Sequence, residues 1–369
     1  MLRRRTTAAA LGLLLAILAP TAGAQTTVPA DTTMPTTGLD FSGVDQFWQI
    51  VDLFLANREP TDDQWRALLS TPGYRLDERS IGHTVRRDIE LAFSSSRRAE
   101  FDSLTTLTND QASRLQHLRR ALGQRAQLVA LRDSLPRAFP VEEARRLAQG
   151  YLPAGATSLG DPPLVAFAIF RNDAYSQEQG VIADLLNVLD KGLNPMLGHE
   201  FHHTYLSRAE NRALARDRNT PDGELVQAFR QLRNEGLADL VDKPYPLAWT
   251  SEVRAAYVKR YNEEYARTPA TLRAVDSLLA AVAVDSTQLP AAGARALQLF
   301  WSGGHPNGAY MARTIVETFG VDSLFPAVHN PVAFLRTFAA AERKRGNPPP
   351  FSPAAMRTID ALERRNWAR

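Results

Sequence analysis

The chain of 369 residues contains no cysteine. That absence excludes disulfides, thiolate metal ligands, a thiol nucleophile and a lipid-modified cysteine after a leader. Histidine is scarce, with seven in the whole chain. Neither sign of charge dominates, since 43 basic residues face 40 acidic ones, and runs such as Arg208-Ala209-Glu210-Asn211-Arg212 intersperse the two. Solvated helix faces account for that pattern, and no nucleic-acid partner is expected. No Gly-x-Ser-x-Gly marks a serine nucleophile, and Gly303-Gly304 lacks the Lys-Ser/Thr that completes a phosphate loop.

Long hydrophobic runs are also missing. The apolar stretch at Leu11–Ala19 is shorter than the roughly 20 residues of a spanning helix. It follows Arg3-Arg4-Arg5 and precedes Pro20 and Ala22-Gly23-Ala24, the layout of a secretory signal cleaved near Ala24. An uncleaved N-terminal anchor is the alternative. The three arginines equal the entire net charge of +3, so the pI of 9.2 carries no message about partners once they are removed. The expected location is the periplasm or the medium, with no stable membrane insertion after cleavage.

Residues 25–38 are rich in Thr and Pro and read as a linker. Residues 39–155 follow as an N-terminal helical region, with Phe47, Ile50, Val51, Phe54 and Leu55 at helical spacing. His117 falls in this pattern with a solvated or packed role, whereas His83 and His329 have loop-like surroundings. From residue 156 to 369 the texture changes. "PPLVAFAIF" (162–170) is a compact apolar run bounded by proline, and it predicts a buried strand. "GVIADLLNVL" (180–189) is a second strand candidate that a helix also fits. The fold class expected is mostly α with a small β-sheet immediately before the helix that carries "HEFHH" at 199–203.

That pentapeptide concentrates three of the seven histidines beside a glutamate. On a helix His199 and His203 lie within about 40° of one another, so both imidazoles can grip one Zn²⁺. Glu200 projects to one flank, where it can act as general base toward water. His202 projects to the other flank. A His199/His202 pair is also sterically open, but it forfeits the placement of Glu200. Downstream, "TPDGELVQAFRQLRNEGLADLVD" predicts a helix with Thr220 as N-cap and Pro221 at its first position. It carries Glu235 and Asp239 one turn apart, beside an apolar stripe of Leu225, Ala228 and Leu232. Gly236 costs about 1 kcal/mol relative to alanine in mid-helix, which points to a close helix approach there.

"WSGGHPNGAYMA" (301–312) places His305 on a tight connection at a helix N-terminus, with the new apolar helix beginning near Gly308. A donor there can stabilise the charge that builds on a carbonyl oxygen during amide hydrolysis. His305 is the first candidate and Tyr310 the second; a plain turn histidine is the competing reading.

His199-Glu200-Phe201-His202-His203 followed by Glu235-Gly236-Leu237-Ala238-Asp239 resembles the gluzincin, thermolysin-like zinc metallopeptidases. "TPGY" near residue 71, "NEGLAD" and "GGHPNGAYMA" are similar to a group of bacterial secreted zinc-dependent peptidases of unknown function. The resemblance implies a zincin-like core holding one zinc ion through His199, His203 and Glu235. It implies Glu200 as the base and Asp239 as the carboxylate that orients a ligand histidine. The expected function is exported zinc metallopeptidase acting on a peptide or protein. A zinc amidase acting on cell-wall peptide or another small amide would use the same groups, and a non-catalytic helical binding module that keeps a metal site is the third reading.

Overall fold

The computed structural model describes residues 38–75, 78–135, 141–156, 160, 163–177, 179–210, 220–249 and 254–367. The expected signal segment and all but the last residue of the expected linker lie outside them. The described residues belong to one compact unit. Helices dominate the described residues, and none of those helices is long and apolar enough to cross a membrane.

Four short strands make one sheet in the order β1-β2-β4-β3: β1 is Leu39–Asp40, β2 Leu164–Ala168, β3 Ala174–Gln177 and β4 Gly180–Asp184. β2 is parallel to β1 and to β4, and β3 is antiparallel to β4. Every residue of β2 and β4 is buried, which is why β2 reads as an unbroken apolar run. The apolar run at 180–189 is half strand and half helix. Asp184 ends β4 and accepts the amides of Leu186 and Asn187 at 2.9 and 3.1 Å, capping helix Leu185–Lys191. β1 and β3 escaped the sequence reading. Two residues carry no period, and β3 sits inside the polar stretch "RNDAYSQEQG", which has no apolar alternation.

"TPGY" is part of how the sheet is held. Phe41 stacks on Phe167 of β2 with ring centres 4.5 Å apart. A Cβ on Gly73 would meet the Phe167 carbonyl oxygen at 2.6 Å, and the Tyr74 hydroxyl donates to the Ile169 carbonyl at 2.9 Å. His117 is packed, with Nε2 3.0 Å from Asp184. His83 lies within helix Glu78–Phe93 rather than a loop, and His329 is exposed at the end of a short helix.

Two hydrophobic cores meet at the site. The first joins the N-terminal helices, the sheet and the histidine helix, Leu193–Ala209, through residues such as Phe47, Phe167, Phe201 and Tyr205. The second joins the carboxylate helix, Gly223–Asp242, to the C-terminal helices through Phe229, Leu232, Ile315 and Phe338. The carboxylate helix starts two residues later than Pro221 predicted, with Asp222 in the cap position and its carboxylate bonded to Asn366 and Arg365. Behind the site, Glu210 pairs with Arg230 at 2.8 Å and Arg233 at 3.1 Å, fastening the histidine helix to the carboxylate helix.

The close approach expected at Gly236 is present. A Cβ there would meet the Gly308 carbonyl group at 2.5 Å, and a Cβ on Gly308 would meet the Leu232 oxygen at 2.1 Å. The carboxylate helix thus runs backbone to backbone against helix His305–Phe319. Because both obstacles are main chain, Gly308→Ala or Gly236→Ala should destabilise the protein by about 3 kcal/mol or more. Urea unfolding followed by circular dichroism measures it; a loss below about 1 kcal/mol would mean that the helices can separate at no cost.

Candidate metal centre

The histidine helix begins after Gly192, whose φ of +82° turns the chain out of the preceding helix. Gly198 lets it sit deep: a Cβ there would lie 2.9 Å from Val241 of the carboxylate helix and 3.0 Å from Leu147. His199 and His203 then face Glu235. Their Nε2 atoms are 3.1 Å apart, and Glu235 Oε2 lies 3.2 Å from His203 Nε2 and 3.7 Å from His199 Nε2. Zinc bonds of roughly 2.0–2.1 Å put tetrahedral ligand atoms roughly 3.3 Å apart. Two imidazole nitrogens and one carboxylate at these separations fit zinc. His202 joins no such group. It is fully buried away from the cleft, and burial together with the neighbouring His203 and His199 pushes its imidazole well below the ordinary value.

The outer layer differs from what the resemblance implied. His199 Nδ1 lies 2.9 Å from Asp242 and only 3.6 Å from Asp239. Asp242 is therefore the carboxylate placed to orient His199. Asp239, wholly buried, instead takes Lys243 Nζ at 2.6 Å, His305 Nδ1 at 2.8 Å and the Tyr261 hydroxyl at 3.0 Å. The reason is helical phase. Asp242 is nearly one turn further along and closer to the histidine helix, while Asp239 faces the approach of His305. Burial alone would raise both aspartates, but Lys243 and the histidines hold both carboxyls below their usual range. Lys243 is raised well above its usual value in return, with burial outweighed by Asp239 and Asp242.

His305 opens its helix as expected, three residues earlier than Gly308, with Gly304 left-handed at φ +90° before it. Its Nε2 lies 3.2 Å from Glu235 Oε2, and its ring stacks on His199 with centres 5.6 Å apart. It belongs to the cluster itself rather than to a loop beside it. His199, Asp239 and His305 also bring ligand atoms close enough to be a second metal-holding group.

The cluster opens into a cleft of about 540 Å³. Glu200 lines it and is pushed above the usual carboxylate range, chiefly by burial. Tyr310 does not line it. That ring packs edge-on against Tyr265 and Phe338, on the core side of its helix, so its candidacy ends here. Tyr257 and Tyr175 are the tyrosines that border the cleft. Nothing local in the sequence marks Tyr257, whereas Asp242 and Lys243 were visible as the next positions on the face of Asp239.

A family model described as "Putative zinc dependent peptidase (DUF5700)" matches residues 65–346, more than three quarters of the chain. No curated protein and no solved structure matches.

Glu235→Ala should abolish stoichiometric zinc binding. Asp242→Asn should weaken it by about 10–100-fold, measured by competition with a chromogenic chelator. Unchanged affinity in Asp242→Asn would return the orienting role to Asp239. Asp239→Ala should cost about 3–5 kcal/mol of stability, because it strips a partner from Lys243, Tyr261 and His305 at once.

Proposed function

The chain belongs to that zinc-dependent peptidase family, and from this premise we propose that it is an exported metallopeptidase of gluzincin type. Peptide bonds would be hydrolysed in the cleft above the histidine helix. The observation that carries the reading is the juxtaposition of His199, His203 and Glu235 at 3.1–3.7 Å with Glu200 facing the same cleft. A purely structural metal site has no use for that fourth group.

His199, His203 and Glu235 would hold the zinc, which would supply Lewis acidity toward a carbonyl oxygen or a water. The other steps belong to the chain. Glu200 accepts the proton of the attacking water and returns it to the leaving amine; its burial favours that exchange by bringing its pKa upward. As negative charge builds on the former carbonyl oxygen, the ring of His305 and the hydroxyl of Tyr257, both on the cleft wall, would donate to it. Burial, first of all, pushes the Tyr257 phenol up to about 12, so it keeps its proton at any working pH. β3 is the end strand of the sheet, and Ala174, Tyr175 and Ser176 border the cleft. An extended peptide can lie along such an edge by main-chain pairing. The basic and apolar N-terminal segment supports export.

Digestion of a mixed peptide library by the zinc-loaded protein, with and without chelator, tests the activity. Zinc-dependent cleavage of internal or terminal peptide bonds is expected; turnover of small amides alone would make the protein an amidase, and none at all a binding module. Glu200→Gln should keep zinc and lose nearly all hydrolysis, because the amide cannot take the proton. Tyr257→Phe should lower kcat by about 10²-fold with zinc retained, while Tyr310→Phe stays near wild type. Full activity in Glu200→Gln would move the base elsewhere. His305→Ala should lower kcat without loss of zinc; a variant that loses zinc would make His305 a ligand.

A further inference from the structure

The cleft carries two cations that the hydrolysis does not use. Lys191 ends the short helix after β4, Arg254 precedes helix Ala255–Ala266, and both line the cleft with His199 and Glu200. Arg254 is only 8 % exposed. Its Nη2 donates to the carbonyl and side-chain oxygens of Asn172, at 3.2 and 2.6 Å, and to the Asn187 side chain. Its buried Nε makes no hydrogen bond. Lys191 Nζ lies 4.6 Å from the centre of the Trp249 ring, and the Arg254 guanidinium carbon 5.7 Å from the same ring.

Neither cation has a carboxylate within 4.0 Å among the described residues. Other buried cations do: Lys243 holds Asp239 and Asp242, and Arg233 holds Glu210. The acids nearest in the cleft act on them only from a distance: Asp242 is paired with His199 and Lys243, and Asp173, which accepts the amide of Ala174 at 3.0 Å, stands beyond 4.0 Å of both cations. Burial, then the positive charge of Arg254 and Lys243, pushes the Lys191 ammonium down to about 8. Two cations gathered on one aromatic ring with no carboxylate in direct contact lose hydration that the Asn172 and Asn187 oxygens return only in part, leaving the Arg254 Nε without a partner. An anion entering the cleft would return it. The guanidinium offers the fork that suits a planar carboxylate, and the ammonium a point charge beside it.

We infer that Lys191 and Arg254 form a subsite for a substrate carboxylate, so that the preferred substrates are peptides with a free C-terminus or an acidic side chain near the scissile bond. The substrate half of this inference rests on the peptidase reading; the carboxylate subsite does not. The test uses the zinc-loaded full chain carrying Glu200→Gln, which binds without turnover, and calorimetric titration with three probes. These are N-acetyl-dialanine, its C-terminal amide, and N-acetyl-aspartyl-alanine amide.

A carboxylate-bearing probe should bind about tenfold more tightly than dialanine amide. Preference for the free acid identifies the C-terminus as the source of the carboxylate, and preference for the aspartyl amide identifies a side chain. Lys191→Met should erase the preference with an unchanged circular dichroism spectrum, and Lys191→Arg should retain it. Equal binding of all three probes, or none, would overturn the inference. So would a preference that survives both Lys191→Met and Arg254→Gln, since the carboxylate would then be held by zinc alone. Turnover by the wild-type enzyme is scored separately. Preference without turnover would sink the peptidase reading and keep the subsite, and turnover without preference would do the reverse.

Discussion

The arrangement depends on one buried charge, the carboxylate of Asp239. An ionised group with no exposure is tolerable only if donors surround it. Here they come from three segments: Lys243 from the C-terminal cap of the same helix, Tyr261 from the next helix, and His305 from the helix that follows the glycine turn. Satisfying that carboxylate therefore fixes where these segments stand. Contact of the Gly236 and Gly308 backbones makes it possible, because only at that separation does His305, three residues before Gly308, reach both Glu235 and Asp239.

The candidate metal cluster straddles a seam. His199 and His203 are carried by a helix rooted in the first core, and Glu235 and His305 by helices rooted in the second. Packing on each side holds its own side chains rigid, and the Glu210 pairs to Arg230 and Arg233 tie the two sides together away from the cleft. The N-terminal helices serve this indirectly. Phe41, Gly73 and Tyr74 dock on β2, and β4 runs from that sheet into the capped turn that aims the histidine helix.

Charge in the cleft is graded. Near His199 the buried charges are in direct contact, Asp242 with His199 and Lys243 and Asp239 with Lys243. Toward Trp249, Lys191 and Arg254 have no carboxylate within 4.0 Å among the described residues. A cleft whose charges are paired at one end and cationic at the other can orient a substrate before any chemistry begins.

The sequence alone determined whatever depends on short-range geometry. Helical spacing placed His199 and His203 on one face and Glu235 a turn from Asp239, and a glycine in mid-helix announced a close crossing. The apolar run of β2 announced a strand buried on both faces. Long-range pairing was not legible. Whether Asp239 or Asp242 serves His199 depends on the relative phase of two helices, a quantity no local pattern records. His305 was found from its turn, but its place beside Glu235 needed the crossing at Gly308. Tyr310 and Tyr257 are both aromatic residues on amphipathic helices, and only packing put one against Phe338 and the other on the cleft wall. The cationic end was least legible of all. Lys191 and Arg254 are far apart in the chain and ordinary in composition, and their charge became significant only when folding gathered both on Trp249 with no carboxylate in direct contact.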